Sequence, residues 1–469
     1  MFDPNFRNSQ AMPWVQDDWK VTRRLTLNLG LRYEWIGRLA ANRDKISNFY
    51  QSGPGQAGII TPADRPPGIG RALQRNDNNN FAPRVGFAYQ LNDKTVARGA
   101  YGVFYQRVSS QAAIGMSFNP PFVRTGDVVL GVNENDIRTF PIDDLTPVVN
   151  FVAPGSRPSL SGIFADAKDA YIQQWNFYLE RMLRSNLVLK AGYVGTKSTG
   201  LEIARNPNTP APGPGDVQGR RPFTNLSSVR LFRSEGFASY HGLEVTAEQR
   251  FSGGVSFNGA YTWSRTIDNQ GTQDPYNYSL DKGLSGFHLA HRFSLAGVWE
   301  VPFGRGRRFG SGSRGVVNAI LGGWQASGIM VFRTGTPLTI TTQGDLLNTG
   351  GGYTQVPNKL RDPNLESGDR SRTRFFDTDA FVRPAQYELG NAGRNILIGP
   401  GSRNLDLSIS KVFPITEKRM LQFRGEAFNA TNHPNWGNPG TTLGTASFGT
   451  ITSNENLPLV LQLGLKLIY

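Results

Sequence analysis

Residues 459–469 read Leu-Val-Leu-Gln-Leu-Gly-Leu-Lys-Leu-Ile-Tyr, with Leu or Tyr at every odd position. The even positions include Gln462, Gly464 and Lys466. Period-two alternation makes a strand with two unlike faces. A strand of about 9–11 residues, tilted, also crosses a bilayer. One such strand is weak ground for a membrane barrel, since a soluble sheet can carry the same pattern. The deciding question is whether the chain repeats it.

It does. Leu25–Trp35 carries Leu, Leu, Leu, Leu, Tyr and Trp on one face and Thr, Asn, Gly, Arg and Glu on the other. Alternating segments follow at 81–91, 95–106, 173–183, 186–197, 241–251, 255–268, 291–302, 323–340, 403–415 and 420–431. Trp14–Lys20 reads as a further short strand. In the pair 241–251 and 255–268, Leu243, Val245 and Ala247 oppose Glu244, Thr246 and Glu248. With the closing segment this predicts about thirteen strands.

The connections fall into two classes. Ser252-Gly253-Gly254, Arg184-Ser185, Asn92-Asp93-Lys94 and Thr416-Glu417-Lys418-Arg419 are short turns. The others run to tens of residues, unusual inside a compact soluble domain. Short turns at one end and long loops at the other describe an outer-membrane barrel, with the turns periplasmic. The connection from Phe303 to Gly322 breaks the rule, being long at the short-turn end. The expected fold is all-β, a transmembrane antiparallel β-barrel.

Composition fits this reading. Mean hydropathy is only −0.38, because outward and inward residues average out along each strand. No run approaches the roughly 18 apolar residues of a membrane helix. The 469 residues include no Cys, which excludes disulfide scaffolds, thiolate metal sites and Cys nucleophiles. The net charge of +14 is spread along the chain. Its densest cluster is Arg305, Arg307, Arg308 and Arg314, and no nucleic-acid motif accompanies it. No nucleic-acid partner is expected. The first residues, Met1 to Arg7, carry no secretion signal.

Catalytic and metal signatures are missing. G-x-S-x-G, H-E-x-x-H and P-loop patterns do not occur. His241, His288, His291 and His433 stand at expected strand starts or in loops and read as ordinary polar residues. Glu34, Glu244, Glu248 and Glu426, interleaved with Arg32, Arg250 and Arg424, suit a hydrated barrel interior. Asp268 to Asp274 is oxygen-rich but lacks the ligand spacing of a calcium loop. Neither an enzyme nor a cofactor is expected. The candidate ligand-gripping residues are the loop aromatics Tyr276, Tyr278, Tyr353 and Trp436, with plain loop packing as the alternative.

Several stretches resemble one family. They are Trp14-Val15-Gln16-Asp17-Asp18-Trp19-Lys20, Leu25 to Glu34, and Asn404 to Lys411. Phe423-Arg424-Gly425-Glu426-Ala427-Phe428-Asn429, running into Asn432-His433-Pro434-Asn435, Ser447 to Thr452 and the closing strand complete the set. Together they resemble the TonB-dependent outer-membrane receptors, specifically the Oar-like β-barrel. The resemblance covers residues 1–469 as one barrel domain and implies the outer membrane as location. Members of that family have a signal peptide, a plug and about 22 strands. The chain is therefore expected to be a carboxy-terminal portion, without plug or signal, and not transport-competent alone.

The implied role is the barrel of a receptor for substrate uptake, its ligand unidentified. A non-transport surface barrel acting through its long loops is the alternative. The implied partners are outer-membrane lipid and lipopolysaccharide, the barrel assembly machinery, and a TonB-type energy transducer reached only through N-terminal parts. Leu463, Leu465, Leu467 and Tyr469 would form the strand that the assembly machinery reads.

Overall fold

A computed structural model describes residues 5–53, 56–123, 157–416 and 418–469. Thirteen long strands form one meander in which each pairs antiparallel with the next in the chain. They are β1 (Trp14–Lys20), β2 (Leu25–Tyr33), β3 (Phe81–Asn92), β4 (Thr95–Gln106) and β5 (Ala170–Arg184). Next come β6 (Leu187–Arg205), β7 (Val229–Ser252), β8 (Val255–Asp268) and β9 (His291–Glu300). The last are β10 (Trp324–Arg333), β11 (Ser402–Pro414), β12 (Met420–Phe428) and β13 (Val460–Ile468). Among the described residues, β1 and β13 pair with one strand each, so the sheet is open. Among the described residues, helices are limited to α1 (Ser110–Met116), α2 (Gly315–Leu321) and a few 3-10 turns.

Register turns the alternation of single strands into a property of the whole sheet. Leu27, Phe87, Gly99, Phe177, Tyr193, Leu243, Trp263 and His291 are successive cross-strand partners from β2 to β9. Cross-strand partners share a face, so one side of the sheet is predominantly apolar. A parallel row on the other side runs Thr26, Ala88, Arg98, Tyr178, Gly192, Glu244, Thr262 and Arg292. There Tyr178 donates to Glu244 at 2.7 Å and Lys190 Nζ sits 3.8 Å over the Tyr178 ring. Most of the apolar side is uncovered, with Leu463 77% exposed. An apolar surface of this breadth requires lipid against it. Tyr193 and Tyr261 bond the imidazoles of His241 and His291 at 2.7 and 2.8 Å on that same side. These amphipathic pairs form a belt toward the long-loop end.

The connections 93–94, 185–186 and 253–254 are tight. In the expected turn Thr416–Arg419, Glu417 lies outside the described residues, and Ile415 and Thr416 both donate backbone N–H to the Arg419 carbonyl. The opposite end carries the loops 34–80, 107–169, 206–228, 269–290, 334–401 and 429–459.

Three expectations are corrected. The second strand stops at Tyr33 instead of Trp35, because the Glu34 N–H bonds the Asn80 carbonyl at 2.9 Å and Trp35–Ile36 pairs with Gln10–Ala11. Glu34 is accordingly buried and ion-paired to Arg32 at the loop end, outside any hydrated interior. His241 stands in mid-strand, because β7 begins at Val229 and climbs beyond the bilayer-length segment, where Leu160–Ile163 adds to it in parallel.

Candidate functional site

The long loops carry their own cores. Ile46, Leu73, Met116 and Ile163 are buried together in loops 34–80, 107–123 and 157–169. Asn48 closes this unit, donating to the carbonyls of Leu73 and Ile163 and accepting the Ile163 N–H at 3.0 Å. Arg38 meets Asp169 at 2.5 Å, and Asn80 donates to the second Asp169 oxygen at 3.0 Å. A second core joins loops 334–401 and 429–459. Its centre is a triangle of edge-on rings, Phe376, Phe381 and Phe448, with centroids 5.2–6.1 Å apart.

Loop 269–290 bridges the two cores. Asp281 accepts from buried Arg205 at 2.8 Å and from the Gln273 N–H at 2.7 Å. Arg394 reaches back to the Asp281 carbonyl at 2.8 Å and pairs with Asp268. Buried charges paired in this way hold a loop in one arrangement.

Three of the four candidate aromatics meet on this bridge. The Tyr276 hydroxyl donates to the carbonyls of Thr209 and Pro207 at 2.6 and 3.2 Å. Tyr278 lies under the Arg205 guanidinium at 4.7 Å. Tyr353 is pushed up to about 12 by burial and by Asp274 and Tyr276 beside it. Burial likewise raises Tyr276 and Tyr278. The neighbouring Gly352 has φ +93°, and a Cβ there would stand 2.4 Å from the Thr209 hydroxyl, so only glycine allows the approach. Arg221 and Asp274 belong to the same group. The sequence drew attention to Asp274 only within the oxygen-rich stretch from Asp268, and not to Arg221.

Trp436 stands elsewhere. It packs on the second core and lines a cavity of about 490 Å³ with Phe332, Phe375, Arg333, Arg370, Arg403 and His433. Arg333 pairs with Glu455 at 2.7 Å, and Arg403 donates to His433 Nε2 at 2.9 Å. Burial and the adjacent Arg403 lower the pKa of His433, which suits its role as acceptor. The cavity walls are cationic and aromatic, a surface for a flat or anionic group. Of its lining, only Trp436 stood out in the sequence as a ligand candidate.

The sequence profile of the family described as "Outer membrane beta barrel domain" matches residues 1–462. The chain belongs to that family. Solved outer-membrane proteins are similar to it at low identity. The outer membrane transporter YddB from Escherichia coli superposes with a TM-score of 0.50 at 10% identity, over 98% of this chain and 44% of that one. FpvA of P. aeruginosa, bound to a heterologous pyoverdine, gives 0.47 at 12%, over 98% and 38%. The FrpB iron transporter from Neisseria meningitidis gives 0.46 at 10%, over 98% and 46%. This chain thus spans less than half the length of each of these proteins. No curated protein sequence matches it significantly. The family places the barrel in the outer membrane.

Proposed function

We propose that residues 1–469 form part of the barrel of an outer-membrane receptor that takes up a substrate, with the long-loop end as its ligand face. One observation carries the reading: buried ion pairs and two apolar cores hold the loops around the tyrosine group and the cationic cavity at Trp436. Ordering of this kind before ligand arrives removes entropy from the binding step. The neighbours YddB and FrpB are described as transporters, which supports import over a purely structural role.

The thirteen-strand sheet alone is proposed not to transport. Its two edges expose rows of backbone N–H and C=O groups, each costly in lipid. Further strands and a gate must come from elsewhere for coupled import.

The test uses the chain folded into liposomes, with a panel of ferric hydroxamates, ferric catecholates, maltodextrins and short peptides. Saturable quenching of Trp436 by one class, lost in Trp436→Phe, is expected, with no energy-coupled accumulation. Binding by no class would favour a surface barrel. Saturable uptake driven by an energy transducer would refute the claim that residues 1–469 need added parts.

A further inference from the structure

The connection 301–323 is long at the end where the others are tight. Rich in Gly, Ser and Arg, it has the composition of a loop hanging in the periplasm. Its helix α2 instead folds back against the apolar face of the sheet. Trp324 Nε1 donates to the Ile320 carbonyl at 2.7 Å. Lys411 Nζ donates to the carbonyls of Ala319 and Ile320, the latter at 3.2 Å. Trp324 and Lys411 are cross-strand partners in the apolar register. Lys411 is only 4% exposed. A lysine on a lipid-facing surface is costly. Here the free carbonyls of a helix end, with their partial negative charge, receive it.

The rest of α2 is bare. Val316 is 73% exposed and Ile320 62%, with Val317 and Leu321 beside them. Asn318, the helix's polar residue, turns toward the loop and accepts the Arg305 N–H at 2.6 Å. Phe303 and Phe309 pair at 5.4 Å, both exposed. Arg307 is held by Glu300 at 2.9 Å. Among the described residues, no carboxylate pairs with Arg305, Arg308 or Arg314. On the same apolar face, Gly297 opposite Gly328 leaves a groove of about 480 Å³ walled by Phe257, Trp299, Met330 and Leu407.

We propose that the connection 301–323 is an interfacial anchor: α2 lies in the inner leaflet of the outer membrane, and Arg305, Arg308 and Arg314 hold phospholipid phosphates. Three features select lipid as the occupant. The helix is capped from the lipid-facing strands, so its bare face continues their surface. The unpaired guanidinium groups complement anionic headgroups. Apolar residues beneath a basic rim are the pattern of a segment lying in a membrane interface. The groove between β9 and β10 provides an acyl-chain bed on the same side.

The chain has no Cys, so single probes can be placed cleanly. Val317→Cys carries an environment-sensitive fluorophore on the full chain, folded into phosphatidylethanolamine vesicles containing phosphatidylglycerol. Blue-shifted emission is expected, quenched by a spin label near the headgroup boundary more than by aqueous iodide. Replacing Arg305, Arg308 and Arg314 with Gln should shift the docked-to-free ratio about fivefold per charge at low salt. Omitting phosphatidylglycerol should act in the same direction.

The proposal rests on the lipid-facing reading of the apolar side, which a separate Leu407→Cys probe reports. A lipid-buried Leu407 probe with a water-exposed Val317 probe overturns the anchor alone. A water-exposed Leu407 probe overturns both. Shielding of Val317 that rises with the protein-to-lipid ratio assigns the patch to a second copy of the chain, against the proposal.

Discussion

Arg205 Nη2 lies 2.8 Å from Asp281 Oδ2, and both side chains are sealed from water. The pair joins the end of β6 to the 3-10 turn Tyr278–Asp281 in loop 269–290. The other Asp281 oxygen is taken by the Gln273 N–H. Asp281→Ala strands a buried guanidinium, and breaking such a pair costs about 3–5 kcal/mol. The expected outcome is rapid proteolysis within 269–290 while barrel insertion, read by heat-modifiable electrophoretic mobility, stays intact. An Arg205→Met, Asp281→Leu double variant should be cut more slowly than the single one. Equal protease resistance of wild type and Asp281→Ala would remove the pair from any loop-ordering role.

Facing is testable on a central strand. Phe177 lies on the apolar side of β5 between Gly99 and Tyr193, and Asn176 lies on the polar side between Ala100 and Val194. Phe177→Arg should cost about 2–4 kcal/mol if it sits near the bilayer midplane, and Asn176→Arg much less. Folding yields in lipid vesicles compare the two. A larger loss for Asn176→Arg would invert the sheet's orientation.

Loop 269–290 should loosen in acid. His288 is buried, and its Nδ1 accepts the Thr266 N–H at 3.3 Å, which requires an unprotonated nitrogen. Burial and Arg265 lower its pKa from 6.5. Between the folded and unfolded values the unfolded state binds more protons, so stability falls as pH drops below 6.5 and is regained above it. Hydrogen exchange at Thr266, corrected for intrinsic rate, should accelerate from pH 7.5 to pH 5. Unchanged protection would contradict this assignment.

The tyrosine group predicts an alkaline signature. Tyr353 holds its proton up to about 12 in the folded chain, above its ordinary 10. Its contribution to stability is therefore complete below pH 10 and lost as pH rises toward 12. Spectrophotometric titration of wild type minus Tyr353→Phe should show one late tyrosinate transition. Tyr276→Phe loses the 2.6 Å bond to Thr209, worth about 0.5–1.5 kcal/mol. It should raise exchange in loop 206–228, and a difference titration with its midpoint at 10 would place Tyr353 in water.

The strands were legible because lipid on one side and water on the other impose period two along the sequence. The bounds of β4 and β8 follow directly from it. The rule fails where both faces meet protein. The adjacent Leu231 and Phe232 are both buried, so the alternation of β7 breaks there, and its parallel partner Leu160–Ile163 is set by contacts far along the chain. Arg38 and Asp169 are likewise 131 residues apart. Residue type alone drew attention to Tyr276, Tyr278, Tyr353 and Trp436. That three converge, while Trp436 joins three arginines, is decided by loop packing that leaves no period to read. Helix α2 escaped notice because its seven residues, opening on Gly315, are too few to display one.

The edges β1 and β13 run in the same direction, since twelve reversals separate them. A ring whose neighbours are all antiparallel can be labelled up and down in strict alternation only when its count is even. Thirteen is odd, so any arc that closes this sheet antiparallel must supply an odd number of strands. An even-numbered arc would force one parallel seam. The arithmetic holds whichever chain provides the arc.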